Sequence, residues 1–323
     1  MNVTSSRYTF VSTYITGCAV LAPAAYFLLT AVLFLPGCDR SRVPPPAPAG
    51  GALNVAATIP PVADWVRQVG GPHVDVFCLL KPGSSPHLYE PSPADSLRVA
   101  QCRLVFCIGL GLDQWIDDLV RAGGSSAPQI VKLGEELPKN VLISGDPHVW
   151  LDPDLAAKMV ASLAAKLSDA DPAHGPEYRR RCSQYLAELA DLSARCDELS
   201  RLLRGRKAVT FHRAFAYLLR RCGVELLGVV QPQPGESSTT GHLAELAAQM
   251  RRSGVSVIFT EPQFSDKPAR ALAAEIGAGL VPLDPLGDPT DADRGSYIKL
   301  MLFNLRQIRD NLLHKTGDAR PRK

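Results

Sequence analysis

The sequence predicts an α/β protein of two lobes, each built on a parallel β-sheet, with one long rigid helix joining them. Short apolar runs alternate with amphipathic stretches along most of the chain, which is the pattern of βαβ units. This pattern occurs twice, before and after residues 176–205, and that segment has an apolar stripe at helical spacing. At ~1.5 Å per residue such a helix is about 40 Å long, which is enough to connect two lobes.

The N-terminal lobe, residues 53–175, is expected to contain four strands. These strands are predicted at 53–59, 74–80, 104–108 and 129–133. Pro60-Pro61 ends the first strand, and an amphipathic helix through Trp65 and Val69 follows it. Asp152-Pro153 is a start signal for another helix, which closes this lobe.

The C-terminal lobe, residues 206–314, repeats the same alternation. Its strands are predicted at 208–211, 225–230, 255–260 and 280–283. A closing helix is expected at 297–313, and a basic tail at 315–323 follows it. Gly205 ends the connecting helix, because glycine readily takes the conformation that terminates a helix.

Composition places the chain among globular proteins. Of its 323 residues, 46% are hydrophobic and 21% are charged, which argues against a disordered or fibrous chain. The net charge is only +3, from 35 basic and 32 acidic residues. That excess is too small for a broad basic surface, so we expect no nucleic-acid partner.

The first 37 residues have the pattern of an export signal peptide. Residues 14–36 are almost wholly apolar, and Arg7 is the only charged residue before Cys38. The sequence LPGC at 35–38 resembles a bacterial lipobox, whose cysteine is lipidated and becomes the first residue. A permanent transmembrane anchor is the alternative, because the apolar run is longer than a usual signal core. Both interpretations place the rest of the chain outside the cytoplasm and attached to a membrane, with the proline-rich linker 38–52 as a spacer.

The other cysteines show no metal-binding pattern. There is no CxxC pair among them, so a zinc site made of thiolates is not expected. For Cys78, Cys102 and Cys107, both a disulfide and buried free thiols remain open.

Four residues in loops form a candidate metal site. His87 and His148 lie in the first lobe, whereas His212 and Asp284 follow strands of the second. Ligands of open α/β sheets bind beyond the carboxyl ends of the strands, so these residues indicate a site in the cleft between the lobes. Three imidazoles and one carboxylate suit a borderline divalent ion, above all zinc. The spacing alone leaves a purely structural role open for each histidine.

Five segments of the chain, taken in order, resemble the motifs of a known family. These segments are PHLYEPSPAD at 86–95, DPHVWLDP at 146–153, FHRAFAY at 211–217, FTEPQFS at 259–265 and LDPLG at 283–287. The family is that of the zinc/manganese solute-binding lipoproteins of bacterial ABC importers, called cluster A-I or cluster 9. The resemblance covers about residues 54–313, essentially the whole mature chain.

The resemblance implies a ligand set and a metal. In this family the histidines of the first three motifs and the aspartate of the last bind the metal, and they correspond to His87, His148, His212 and Asp284. Manganese members commonly have Glu at the third of these positions, so His212 favours zinc over manganese. Glu261, in the fourth motif, is expected either to orient a ligand imidazole or to hold its loop.

Two departures from the family pattern concern the choice of metal. Many zinc-specific members have a long histidine-rich loop before the second motif, whereas residues 134–145 are short and contain no histidine. Some zinc members also have a carboxylate just before the first histidine, where this chain has Pro86. The imidazole-rich ligand set and the divalent affinity order nevertheless favour zinc over manganese.

The implied function is capture of a metal ion and its delivery to a membrane permease, with an ATPase driving uptake. We expect a monomer. We also expect that the protein is not an enzyme, because four protein ligands leave no open position for a substrate water. A manganese-binding member of the family and a metal-stabilised adhesin are the alternatives. A zinc hydrolase is a remote one, since Asp284 would have to withdraw to let a metal-bound water ionise.

Overall fold

A computed structural model describes residues 51–121, 127–233 and 235–313 of the chain. The signal segment, Cys38 with its linker up to residue 50, His314 and the tail lie outside these residues. Within the described part, the strands are β1 Leu53–Ala57, β2 Val74–Cys78, β3 Leu104–Cys107, β4 Gln129–Lys132, β5 Lys207–Thr210, β6 Glu225–Val229, β7 Val257–Thr260 and β8 Gly279–Pro282. The α-helices are α1 Pro60–Gly70, α2 Pro93–Val99, α3 Trp115–Arg121, α4 Pro153–Ala170, α5 Gly175–Leu203, α6 Ala216–Arg221, α7 Thr240–Ser253, α8 Lys267–Ile276 and α9 Tyr297–Leu313.

Two four-stranded sheets have the same topology. The first has the strand order β2-β1-β3-β4 and the second has the order β6-β5-β7-β8, and every pairing is parallel. Because both faces of a parallel sheet are covered by helices, its strands are continuous apolar runs such as the fully buried β3. The predicted fold class, two parallel-sheet α/β lobes, is confirmed.

Helix α5 is the predicted long helix between the lobes. It begins directly after the 3₁₀ turn Pro172–His174, and Pro176 lies in its first turn, where a missing N–H does no harm. Its buried stripe is the one predicted from the sequence: Tyr178, Cys182, Tyr185, Leu189, Leu192, Cys196, Leu199 and Leu203. This stripe packs against α1 and α4 of the first lobe and against α9 of the second, so α5 shares its core with both.

Two further features concern the membrane and the cysteines. None of the described helices combines the length and the apolar character needed to cross a bilayer. The cysteines of the described residues, including Cys78, Cys102 and Cys107, are free thiols.

Candidate metal centre

Each predicted histidine ligand lies in or beside a short 3₁₀ turn. His87 lies within the turn Pro86–Leu88, which follows β2 along the chain. His148 directly precedes the turn Val149–Leu151, and His212 directly precedes the turn Arg213–Phe215. Two of the histidines therefore come from the first lobe and one from the second.

The three imidazole rings converge on one point. His148 Nε2 lies 3.1 Å from His87 Nε2 and 3.3 Å from His212 Nε2. One ring nitrogen of each histidine lies within 4.8 Å of the other two, and no second group of this kind occurs among the described residues. A tetrahedral zinc ion with Zn–N bonds of about 2.0–2.1 Å needs nitrogens about 3.3 Å apart, close to the observed spacing.

Two buried carboxylates orient two of the rings. His148 Nδ1 lies 2.8 Å from Asp146 Oδ1, and His212 Nδ1 lies 2.6 Å from Glu261 Oε1. The backbone N–H of each histidine donates to the same carboxylate oxygen. Because an ionised carboxylate only accepts hydrogen bonds, we assign the proton to Nδ1, which leaves the Nε2 lone pair free for a metal.

Burial favours the neutral form of the His87 and His148 imidazoles. Desolvation, with repulsion from His148 and His212, lowers the pKa of His87 to about 3. Desolvation also lowers the pKa of His148, although its hydrogen bond to Asp146 acts in the opposite direction. Neutral imidazole is the form that binds a metal, so the site is ready for a cation at neutral pH.

The cavity beside the histidines contains polar atoms without partners. Trp150 and Phe264 contribute apolar walls, whereas Ser85, Glu261 and Gln263 contribute polar ones. Within the described part of the chain, Ser85 Oγ, Glu261 Oε2 and Gln263 Oε1 are buried and accept or donate no hydrogen bond. Buried polar atoms without partners are unfavourable, so their presence here indicates a polar or charged guest.

The structure does not bring Asp284 into the histidine group. Its carboxylate is buried and is surrounded by four hydrogen-bond donors instead. Oδ1 accepts from Gln263 Nε2 and from the backbone N–H groups of Leu286 and Gly287, and Oδ2 accepts from Arg294 Nη1. Asp284 therefore lies behind Gln263 rather than on the cavity wall. Its role as the fourth ligand stays a prediction.

Three residues with contacts at this site were not singled out from the sequence. Asp146 stands two residues before His148, and Gln263 stands two residues after Glu261. Both lie inside quoted motifs, so a polar residue two positions from a candidate functional residue was the available signal. Arg294 stands ten positions beyond Asp284 in a segment rich in charged residues, and nothing in the sequence marks it.

Comparison with known families identifies the family of the chain. Residues 55–311 match the family described as ZnuA, zinc-uptake complex component A, periplasmic. The chain belongs to this family. The resemblance found in its motifs is thereby confirmed, and the match spans both lobes and the helix between them.

Individual relatives of the chain bind different metals, according to their names. The high-affinity zinc uptake system protein ZnuA of Bacillus subtilis is 28% identical over 316 residues, 91% of this chain and 97% of the relative. The manganese-binding lipoprotein MntA of the same organism is 30% identical over 306 residues, 87% of this chain and 97% of the relative.

A solved structure supports the fold. The laminin-binding protein Lmb of Streptococcus agalactiae, described as bifunctional with adhesin and metal-transporting activity, superimposes with a TM-score of 0.72. It is 26% identical, and the match covers 81% of this chain and 99% of that one.

Proposed function

We propose that this protein captures one divalent metal ion, zinc in preference to manganese, and delivers it to the permease of an ABC importer. The observation that carries the proposal is the convergence of three Nε2 atoms, two of them 3.1 and 3.3 Å from the third. Membership of a family of periplasmic zinc-uptake components supports capture and transport as the purpose of such a site.

The ligands in this proposal are the three histidines together with Asp284. His87, His148 and His212 provide the imidazole nitrogens, and Asp284 provides an oxygen once its carboxylate turns from its present partners. Asp146 and Glu261 keep His148 and His212 in the tautomer that binds a metal. The ion then holds side chains of both lobes together, so its capture links their positions.

Zinc is proposed over manganese because of the donor atoms. Imidazole nitrogens suit zinc, whereas manganese prefers carboxylate, carbonyl and water oxygens. The divalent affinity order also places zinc above manganese for such a site. A zinc uptake protein and a manganese-binding lipoprotein are both relatives at similar identity, so similarity does not choose between the two metals.

The partners follow from the family and from the N-terminal sequence. We propose a monomer, attached to the membrane by a lipid on Cys38, that docks on a permease whose ATPase drives release. The family consists of metal carriers, which favours a carrier over a hydrolase. Hydrolysis of ester or phosphate substrates that disappears in His148→Ala would instead support the hydrolase alternative.

The test is metal binding by protein that has been stripped of metal and titrated with zinc, with manganese, and with both at equal free concentration. We expect one zinc per chain and preference for zinc in the mixture. His148→Ala should lower zinc affinity by at least a hundredfold, since one of three nitrogen ligands is lost. His73→Ala, which removes a histidine outside the site, serves as the control. A one-to-one manganese complex in the mixture would overturn the choice of zinc, and equal loss in both variants would overturn the site.

Adhesion is a second candidate function because Lmb is described as both an adhesin and a metal transporter. In that case adhesion would be a function separate from metal transport. Binding to laminin should then persist in a His87→Ala, His148→Ala double variant that no longer binds zinc. Absence of laminin binding by the zinc-loaded wild type would exclude this function for the present chain.

A further inference from the structure

The carboxylate of Asp284 has two oxygens in different situations. Oδ1 accepts three hydrogen bonds, from Gln263 Nε2 at 2.9 Å and from two backbone N–H groups at 3.0 and 3.1 Å. Oδ2 has one hydrogen-bond partner among the described residues, Arg294 Nη1 at 2.8 Å. The Asp284 side chain is 3% exposed, so water does little to screen this ion pair. Oδ2 is therefore the oxygen that becomes available when a single contact is broken.

Arg294 keeps a second partner when Asp284 is released. Its Nη2 donates to Asp291 Oδ2 at 2.6 Å, and its side chain is 26% exposed. Its guanidinium carbon also lies 5.6 Å from the centre of the Phe303 ring. Since Arg294 stays paired and partly hydrated, separation from Asp284 does not leave a buried positive charge alone.

Gln263 connects Asp284 with the histidine cavity. Its Nε2 donates to Asp284 Oδ1, while its Oε1 is buried without a partner and the residue lines the cavity of the three histidines. The side chain of Gln263 thus lies between Asp284 and the cavity. A cation bound by the histidines would face a carboxylate that is already paired with another cation.

We propose that Arg294 competes with the bound metal for Asp284 and thereby sets the preference for zinc over manganese. The proposal depends on the proposed function, in which the three histidines bind the ion and Asp284 is its fourth ligand. A four-coordinate zinc ion needs only one carboxylate oxygen of Asp284 beside the three histidine nitrogens. Manganese prefers an octahedral, oxygen-rich site and needs the carboxylate more. The ion pair therefore opposes manganese more strongly than zinc.

The exchange is balanced in charge. A buried carboxylate needs a positive partner, and the metal takes the place of the guanidinium beside Asp284. Arg294 in turn retains Asp291. Arg294 is accordingly a residue that determines specificity through Asp284 and not a ligand itself.

The first experiment compares the wild type with Arg294→Met in competition titrations against metal chelators. We expect manganese affinity to rise about tenfold relative to zinc affinity, the change expected for removal of one charge-assisted hydrogen bond. Arg294→Lys keeps the charge and should restore most of the wild-type ratio. Arg270→Met, which removes an exposed arginine paired with Asp266 in the same lobe, is the control for loss of charge alone. Equal gains for both metals would overturn the proposal.

The second experiment repeats the substitution in an Asp284→Asn background. If Arg294 acts by withholding the carboxylate, Arg294→Met should no longer change the manganese-to-zinc ratio there. The same change in both backgrounds would show that Arg294 acts by direct repulsion of the cation, and the proposal would be wrong. The absorption spectrum of the cobalt-loaded proteins gives an independent measurement, since Arg294→Met should shift it from a four-coordinate towards a higher-coordinate form.

Failure of this inference and failure of the proposed function give different results. Wild-type protein that binds no metal through its histidines contradicts the proposed function itself. Wild-type protein that binds zinc through its histidines, combined with an unchanged metal ratio in Arg294→Met, contradicts only the inference. A folding control is supplied by thermal unfolding of each variant without metal, and if Arg294→Met has unfolded, Arg294→Gln, which also removes the charge, replaces it in the comparison.

Discussion

At the scale of single residues, the candidate site depends on hydrogen bonds that hold His148 and His212 by their Nδ1 and backbone N–H groups. The Nε2 atoms, which would bind a metal, are left free of these bonds. Asp146 and Glu261 each accept from a histidine Nδ1 and from the same residue's backbone N–H. A ring held at both its backbone and its side chain has little freedom to turn its Nε2 away. Buried carboxylates are therefore as much a part of this site as the rings they orient.

We predict that Glu261→Gln weakens zinc binding by about 10- to 100-fold, the usual effect of losing such an orienting partner. Glutamine keeps an oxygen that can accept from His212 Nδ1, but its neutral amide makes the imidazole a poorer ligand. Isothermal titration of metal-free protein with zinc measures the change. Glu245→Gln, an exposed glutamate on α7, is the matched control and should bind like the wild type. Unchanged affinity in Glu261→Gln would mean that Glu261 only holds its loop.

The sequence reveals the candidate histidines and one of their partners, Glu261, but not the ion pair of Asp284. His87, His148 and His212 were candidates because they lie in loops on the expected side of the sheets, and the structure brings them together. The contact between Arg294 and Asp284 depends on the direction of two side chains across a ten-residue loop. Neither periodicity nor motif spacing determines the direction in which these two side chains point, so this ion pair could not be predicted from the sequence.

At the scale of secondary-structure elements, the sequence predicts most of what the structure shows. All eight expected strands occur, because strands buried on both faces are short apolar runs bounded by polar or turn residues. Most of them end one or two residues before the predicted ends, as in β1, which ends at Ala57 rather than at Ile59. Thr58 and Ile59 continue the apolar run but already lie in the loop, where hydrogen bonding rather than hydrophobicity decides the boundary.

The stripe of α5 provides a stability prediction. Leu192 is 2% exposed and belongs to the core that α5 shares with both lobes. Leu192→Ala should lower the free energy of unfolding by about 2–5 kcal/mol, because a buried cavity replaces the side chain. Leu202 lies on the same helix and is 59% exposed, so Leu202→Ala should change stability by only about 0.5 kcal/mol. Denaturation by urea compares the two variants, and similar losses in both would contradict the assigned faces of the helix.

At the scale of the whole molecule, hydrogen bonds between the lobes converge near the candidate site. Trp150 Nε1, two residues beyond His148, donates to the carbonyl of Pro285 at 2.7 Å. Tyr297, the first residue of α9, donates through its hydroxyl to the carbonyl of Trp150 at 2.6 Å. The loops that contain His148 and Asp284 are thus linked directly, in addition to their link through α5. We expect this arrangement, with the rigid long helix, to limit the opening of the lobes.

A buried carboxylate completes this connection. Asp64 of α1 accepts from the backbone N–H of Tyr297 at 2.9 Å, so a side chain of the first lobe caps a helix of the second. Desolvation raises the pKa of Asp64 above its ordinary value of 3.8, although the hydrogen bonds from Tyr297 and Gln68 lower it. Between the pKa of the carboxyl in the unfolded chain and its raised pKa in the folded protein, the folded protein binds more protons than the unfolded chain does. Its stability contribution is therefore largest at low pH and is lost as the pH rises through the raised pKa.

We predict that Asp64→Asn gains stability relative to the wild type as the pH rises from about 4 towards neutrality. Asparagine keeps an oxygen for the Tyr297 N–H but has no charge to desolvate, so it lacks the pH-dependent loss that Asp64 contributes. Urea denaturation of both proteins at a series of pH values measures the difference in unfolding free energy. Asp75→Asn, which replaces an exposed aspartate of β2 in the same lobe, is the control for loss of a carboxylate alone. A difference between Asp64→Asn and the wild type that stays constant or shrinks with rising pH would show that the contacts of Asp64 with Tyr297 and Gln68 outweigh its burial.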